Sequence, residues 1–240
     1  MLRLLGVLGL LVLLGANASS STAAPSGASP QRFVRPVQDL AGLLTPHVVR
    51  QAPRRTSQRL ALVASRRPIT GQPTMLPVLQ YSADPVGRLW LRVRLPGRPN
   101  GHTGWIERAG TVARKTSWRI VINIGRRRVV VYRRGHVIRT FAAVVGKAAT
   151  PTPRGEFFVE EAIALPSGQV GAPFALALSA RSAVFQRFAG GPGQVALHGV
   201  ANIGGAPGTA VSHGCVRLTG AAMAWLVGRI APGAPVTIRT

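Results

Sequence analysis

The stretch Ser212-His213-Gly214-Cys215-Val216-Arg217-Leu218 contains the only cysteine of this 240-residue chain. A single cysteine has no intramolecular disulfide partner, so it is an inert buried side chain, an intermolecular link or a reactive thiol. Two histidines lie near it: His213 precedes the thiol by two residues, and a second His-Gly pair, His198-Gly199, lies upstream. A thiol attacks a carbonyl as the thiolate, which needs a base or a local positive field. The pattern therefore favours a reactive thiol.

The positions of the two histidines predict how each reaches the thiol. Residues i and i+2 of a strand share a face, so His213 and Cys215 are neighbours if the motif is extended. His198 ends the short apolar run Gln194–Leu197, which is predicted to pair beside the cysteine strand. No Asp or Glu follows Glu161 in the sequence. A backbone carbonyl, rather than a nearby carboxylate, is therefore expected to orient the imidazole.

The same motif offers two further kinds of chemistry. Gly214 allows a backbone to approach a substrate closely, and the amides of Gly214 and Cys215 are natural donors to an oxyanion. Two histidines and a cysteine are also ligand types for zinc, but a fourth ligand is missing and no carboxylate lies nearby in the sequence. We therefore expect no metal and no cofactor at this site.

Residues 1–18 have the pattern of a secretory signal peptide. One arginine is followed by the apolar run Leu4–Leu14 and by small residues, with a predicted cleavage after Ala18. The alternative is a membrane anchor, but a spanning helix needs about 20 apolar residues, and polar residues from Asn17 onward end the run too early. The sequence predicts export to the periplasm or cell wall and no stable membrane span.

The charge of the chain is strongly one-sided, with 30 Lys and Arg against 6 Asp and Glu and a net charge of +24. A genome rich in G and C codons explains arginine in place of lysine, but it does not explain the scarcity of acids. An exported polycation is attracted to polyanions. The predicted partners are therefore anionic wall polymers and peptide carboxylates. The export signal and the lack of a recognition motif argue against nucleic acid.

The composition divides the mature chain into three parts. Residues 19–56, rich in Ser, Ala, Pro and Arg, are predicted to be a flexible linker, in which the stretch Val34–Val49 is compatible with a short helix. Residues 57–112 have short alternating runs such as Leu89–Leu95, which predict a small SH3-like all-β module. Modules of this type occur beside bacterial wall enzymes and can bind wall peptides. Alternatively, their tryptophans, here Trp90 and Trp105, belong to the core.

Residues 113–240 are predicted to form a mainly β catalytic domain. It begins with a three-stranded meander over Trp118–Val145 and ends with the strand Val236–Ile238. One helix is predicted after the cysteine, over Ala221–Arg229, with Thr219 as its N-cap. The Pro- and Gly-rich segment 163–192 is predicted to form irregular flaps around a cleft.

The two His-Gly elements, in this order inside a β-rich exported chain, resemble the catalytic signature of the L,D-transpeptidases (YkuD-like catalytic domain). The resemblance covers about residues 117–240 and includes Thr152–Phe157 and the closing strand. This chain departs from the pattern at two points. The segment between His198 and Ser212 is slightly shorter than in the best-known members. The chain also has Thr219-Gly220-Ala221 where many members have Asn and Asp.

The resemblance implies a role for each candidate residue. Cys215 would be the nucleophile and His198 its base, while His213 would support the site and the amides of Gly214 and Cys215 would bind the oxyanion. The candidates for substrate binding are Arg217, Gly199 and Ser212. Arg217 would hold a stem carboxylate or, alternatively, fix loop carbonyls.

The resemblance also implies a reaction. Cys215 would attack a peptidoglycan tetrapeptide stem, expel D-alanine and transfer the acyl group from a thioester to the amine of an acceptor stem, giving a 3→3 cross-link. One alternative is the same site using water, as in an L,D-carboxypeptidase or a hydrolase resembling NlpC/P60 enzymes. The other is a non-catalytic wall-binding protein. Carbapenems are expected to acylate the thiol of the enzyme.

Overall fold

The computed structural model describes residues 34–187 and 190–240. The predicted signal peptide, 1–18, lies outside the described residues, as does the start of the predicted linker. No helix among the described residues combines the length and the apolarity needed to cross a membrane.

Seven strands near the N-terminus form the first sheet. They are β1 (Gln38–Leu43), β2 (His47–Arg50), β3 (Arg59–Val63), β4 (Met75–Ala83), β5 (Leu89–Arg94), β6 (Thr103–Glu107) and β7 (Thr111–Thr116). Their order in the sheet is β3-β2-β6-β5-β4-β1-β7, and all the pairs are antiparallel. Trp90 is buried in this part of the chain, at 1% exposure, whereas Trp105 is partly exposed. The comparison of this sheet with an SH3-like module stays a prediction.

The structure differs from the sequence prediction in the segment before residue 57. Strands β1 and β2 lie within the predicted linker, and β1 occupies part of the stretch judged compatible with a helix. Ala41, Leu43 and Val49 are buried in the core of the first sheet, which gives both strands an apolar face. The runs are only 6 and 4 residues long. Their alternation was therefore too short to stand out among the surrounding polar residues.

Ten strands form the rest of the β structure. They are β8 (Trp118–Asn123), β9 (Arg128–Arg133), β10 (His136–Ala142), β11 (Val145–Gly146), β12 (Gly155–Ala164), β13 (Phe174–Arg181), β14 (Gln194–Gly199), β15 (Ala210–Ser212), β16 (Val216–Leu218) and β17 (Pro235–Arg239). Eight of them make a sheet in the order β10-β9-β8-β17-β12-β13-β14-β16, while β11 pairs with β15. The predicted meander and closing strand are confirmed. The closing strand β17 lies parallel to β8.

The single helix of the described residues, α1 (Gly220–Val227), follows the cysteine motif as predicted and ends two residues early. Thr219 is its N-cap, since its hydroxyl accepts a hydrogen bond from the Ala222 amide at 3.3 Å. Met223 and Leu226 of the helix pack into the core of the second sheet. The helix thereby fixes the chain directly after β16, close to the cysteine.

Strand β12 joins the cores of the two sheets. Phe157 packs into the core of the second sheet, while the next residue, Phe158, packs into the core of the first. Successive side chains of a strand point to opposite faces, so one strand serves both cores. The described residues accordingly pack as one compact unit. The division at residue 112 stays a prediction.

Candidate active site

One pocket brings together the thiol and both predicted histidines. Parallel pairing of β14 with β16 aligns Leu197 with Val216 and His198 with Arg217, so the cysteine that precedes β16 lies beside β14. The pocket is lined by Ser182, Phe185, Gly193, Gln194, Val195, His198, Ile203, His213, Cys215 and Arg217.

The surroundings of the Cys215 thiol favour its protonated form. Burial raises the pKa of the thiol, because the thiolate loses hydration there. A hydrogen bond from the Ala196 backbone and the positive charge of Arg217 oppose this rise. Cys215 as a residue remains partly exposed and has no disulfide partner.

The imidazole of His198 is held by a backbone carbonyl. Its Nδ1 lies 2.8 Å from the Gly199 carbonyl oxygen, which assigns the proton to Nδ1 and leaves a lone pair on Nε2. Burial lowers the pKa of His198, and the charge of Arg217 lowers it further, against the effect of the Gly199 carbonyl. The neutral imidazole therefore has a base at Nε2. This carbonyl partner is the one that the absence of nearby acids predicts.

His213 lies at the rim of the same pocket. It is exposed, and its ring meets the edge of the Phe185 ring with a centroid distance of 5.9 Å. His213 lies in a bend between β15 and β16, with Gly214 at a φ of +115°, so the motif is not an extended strand at this point; the exposed position of His213 contrasts with the partly buried position of His198.

Arg217 is a buried cation beside the thiol and the imidazole. Its residue is 5% exposed, and Nη1 donates a hydrogen bond to the Gly204 carbonyl at 3.0 Å. The Nε of Arg217 is buried and has no hydrogen-bond partner among the described residues. Burial lowers the pKa of the guanidinium, and Cys215 opposes that shift. The side chain thus fixes the Gly204 carbonyl through Nη1, while its buried Nε–H has no acceptor among the described residues.

Residues 117–238 match the family model of the L,D-transpeptidase catalytic domain, YkuD. The chain belongs to the L,D-transpeptidase family. The matched segment begins one residue before β8 and contains the whole cysteine pocket. A comparison with curated proteins finds no significant match.

Solved structures of other L,D-transpeptidases resemble this chain. One from Enterococcus faecium is 20% identical and has a TM-score of 0.39, with 50% of this chain and 49% of that chain covered. The match thus spans about half of that protein. One from Mycobacterium smegmatis is 19% identical, with a TM-score of 0.39 and coverage of 69% and 99%. L,D-transpeptidase 3 from Mycobacterium tuberculosis, with a faropenem-derived adduct, is 13% identical, with a TM-score of 0.45 and coverage of 70% and 91%.

Ser212 of this L,D-transpeptidase domain is fully buried and does not line the pocket. Its hydroxyl donates to the Cys215 carbonyl at 2.6 Å and accepts from the Gly214 amide at 3.1 Å. Its own carbonyl accepts from the Thr150 hydroxyl and the Lys147 amide. These polar groups of Ser212 all stabilise the cysteine loop, and its role in binding substrate stays a prediction.

Gly199 also has a structural position. An added Cβ would collide with the Ala172 carbonyl, and the Gly199 amide donates to the Gly171 carbonyl at 2.7 Å. Its carbonyl is already bound to His198. Gly199 was predicted to bind substrate, but the structure buries it and uses it to orient the imidazole.

Gly214 adopts a φ of +115°, which favours glycine, and its amide is already bound to the Ser212 hydroxyl. The predicted oxyanion role of the Gly214 amide therefore conflicts with its present hydrogen bond. The Cys215 amide stays the candidate donor.

The sequence did not identify several residues of the pocket wall. Phe185, Gln194 and Ile203 line the pocket, but they come from irregular or strand-end segments with no motif of their own. The only signal was the density of Gly and Pro in 163–192. It predicted flaps around a cleft, but it did not show which side chains would line the pocket. Within 34–187 and 190–240, no group of three or more His, Cys, Asp or Glu side chains is arranged to hold a metal ion.

Proposed function

We propose that this chain is a peptidoglycan L,D-transpeptidase in which Cys215 is the nucleophile and His198 the general base. The observation that carries the proposal is a pocket within the family domain that contains the thiol and an imidazole whose Nδ1 is bound to a carbonyl. The donor would be a tetrapeptide stem, and the acceptor the amine of a neighbouring stem.

The first half of the reaction uses a neutral thiol and a neutral imidazole. Cys215 Sγ forms a bond to the carbonyl carbon of the third stem residue while the thiol proton moves to His198 Nε2. The carbonyl π electrons move to oxygen, where the Cys215 amide donates a hydrogen bond. Collapse breaks the C–N bond, and His198 returns the proton to the leaving D-alanine amine. A thioester remains on Cys215.

The second half regenerates the thiol. The acceptor amine attacks the thioester and forms a new C–N bond, while His198 Nε2 takes a proton from the amine. Collapse breaks the C–S bond, and the thiolate recovers its proton from His198. The product is a 3→3 cross-link. An amine is a much better nucleophile towards a thioester than neutral water, which favours transfer over hydrolysis.

Arg217 fits this reaction as a cation at the pocket wall. Its Nη1 is used by the Gly204 carbonyl and its Nε is buried, so the charge of the guanidinium, rather than the Nε donor, would attract a stem carboxylate. The other two residues predicted to bind substrate, Gly199 and Ser212, act through His198 and the cysteine loop in this proposal.

Export and contact with anionic wall polymers are part of the same proposal. All six carboxylates lie within ion-pair distance of an arginine or lysine, and most of the cations among the described residues form no ion pair with them. Arg139 and Arg229 lie 5.3 Å and 4.6 Å from the Trp225 ring centroid, beside a surface cavity that also contains Trp118 and Arg133. A basic surface with aromatic faces suits a polyanionic glycan.

The decisive experiment is intact-mass measurement after exposure to a carbapenem. The wild type should gain the mass of one opened carbapenem, and Cys215→Ser should gain none. An unmodified wild type would overturn the assignment of the nucleophile. Product analysis of a tetrapeptide stem with and without an amine acceptor then distinguishes the transpeptidase from the carboxypeptidase, which releases D-alanine without forming a cross-link.

A further inference from the structure

The loop between β5 and β6 of the first sheet contacts the wall of the cysteine pocket. Arg98 donates three hydrogen bonds to carbonyls of that wall: Nη1 to Pro192 at 2.9 Å, and Nη2 to Ser182 at 2.8 Å and to Phe185 at 3.0 Å. Hydrogen bonds from a charged donor are the stronger kind, and a planar guanidinium holds several acceptors in fixed positions. One side chain from the β5–β6 loop thus fixes three backbone carbonyls in the segment between β13 and β14.

Asn100, two residues later, adds a reciprocal pair of hydrogen bonds. Its Nδ2 donates to the Arg181 carbonyl and its Oδ1 accepts from the Arg181 amide, both at 2.8 Å. The Gly97 amide also donates to the Ser179 carbonyl at 3.3 Å. The loop therefore continues the hydrogen bonding at the end of β13, where the strand leads into the pocket wall.

The residues held by Arg98 are those that shape the pocket. Ser182, Phe185 and Gly193 all line it, and the Phe185 ring contacts His213. The Ser182 amide donates to the Gly193 carbonyl at 2.8 Å, which joins the two ends of the wall. An added Cβ at Gly193 would lie 3.2 Å from Arg98 Nη2 and would collide with the Phe185 carbonyl. Arg98 is therefore closely packed against Gly193 in the pocket wall.

We propose that Arg98 and Asn100 are positioning residues through which the first sheet sets the wall of the cysteine pocket that Ser182, Phe185 and Gly193 form. The inference rests on the proposed transpeptidase function. Neither residue lines the pocket, and neither is hydrogen-bonded to Cys215 or His198. Their effect is on the fit of the donor, while the proton transfer between thiol and imidazole is unaffected.

The test compares full-length Arg98→Ala, Arg98→Lys and Asn100→Ala with wild type and with Arg92→Ala. Arg92 is a matched control, because it is an exposed arginine of the same sheet that binds only the Thr103 hydroxyl, at 3.2 Å. For Arg98→Ala, the carbapenem concentration that gives half-maximal acylation should rise about ten-fold, while the maximal rate stays within about three-fold. Lysine, with a single compact ammonium group, should restore part of the loss.

Hydrogen–deuterium exchange supplies a measurement that is independent of acylation. The amides of 182–187 and 193–195 should exchange faster in Arg98→Ala and in Asn100→Ala, but not in Arg92→Ala. Arg98 is an exposed residue, so the loss of its three hydrogen bonds should lower the melting temperature by no more than about 6 °C, and all variants are compared where they are folded.

The outcomes separate this inference from the proposed function. If wild type is acylated and Arg98→Ala matches Arg92→Ala in both kinetics and exchange, the positioning role is wrong. A fall of the maximal rate together with the melting temperature, and no change in half-saturation, also overturns it. If wild type is not acylated, the proposed function fails, and the exchange data alone decide whether Arg98 holds the wall.

Discussion

The hydroxyl of Ser212 is the perturbation that most directly tests how the cysteine loop is held. Ser212→Ala removes two hydrogen bonds, one to the Cys215 carbonyl at 2.6 Å and one from the buried Gly214 amide at 3.1 Å. Each bond contributes about 1 kcal/mol, and a buried amide left unsatisfied costs about 1–3 kcal/mol. The expected loss in free energy of unfolding is about 3 kcal/mol. For a chain of this size that lowers the melting temperature by about 6–12 °C.

The assay combines thermal unfolding with carbapenem acylation measured at a temperature where both proteins are folded. Acylation should slow at least about ten-fold, because the loop that carries the nucleophile loses its fixed geometry. Ser167→Ala is the matched control, since Ser167 is exposed and only its carbonyl is hydrogen-bonded. A variant with unchanged melting temperature and a raised half-saturating concentration would refute this reasoning. It would return Ser212 to the substrate-binding role that the sequence suggested.

Two further predictions concern the base and the buried ion pairs. His198→Ala should lower the acylation rate about 10²–10⁴-fold. The remaining rate should rise about ten-fold per pH unit between pH 7 and 9, because the thiol pKa is raised and no base assists. The acylation rate of wild type should change little over the same pH range. His213→Ala, which removes an exposed ring, should cost less; if it alone abolishes acylation while well folded, the two roles must be exchanged. Arg67→Ala should destabilise the fold by about 3 kcal/mol in urea unfolding, since it removes a partner of fully buried Glu160, whereas Arg66→Ala should not.

The groups of the candidate site could be found from the sequence because they lie in one short segment. His198 and Cys215 are 17 residues apart, and β14 pairs directly with β16 although β15 lies between them in sequence; short apolar runs predict this pairing. The carbonyl partner of His198 followed from the lack of acids after Glu161. Motif and spacing therefore carried most of the information about the reactive centre.

Contacts between distant segments were not predictable in the same way. Arg98 meets Pro192 across 94 residues of sequence, and both lie in Gly- and Pro-rich turns without any periodicity. The buried acids of β12 show the same limit: Glu160 pairs with Arg67 and Arg181, which belong to different parts of the chain. Only the packing of the two sheets against β12 brings these partners together. For this reason the sequence predicted an SH3-like module over 57–112 without any contact to the pocket, whereas the structure connects the first sheet to the wall of the pocket.

The charge of Arg217 lowers the pKa values of both Cys215 and His198, and it would stabilise the oxyanion that forms when Cys215 attacks. It lowers the pKa of the Cys215 thiol, which favours the thiolate, and it lowers the pKa of His198, which disfavours the imidazolium. For proton transfer from thiol to imidazole these two effects oppose each other, so Arg217 does not prepare an ion pair in the resting enzyme. Once Sγ has attacked, negative charge moves to the substrate oxygen, where a nearby cation only stabilises. In the proposed reaction, Arg217 therefore acts after proton transfer has begun, which agrees with a resting site that holds neutral thiol and neutral imidazole.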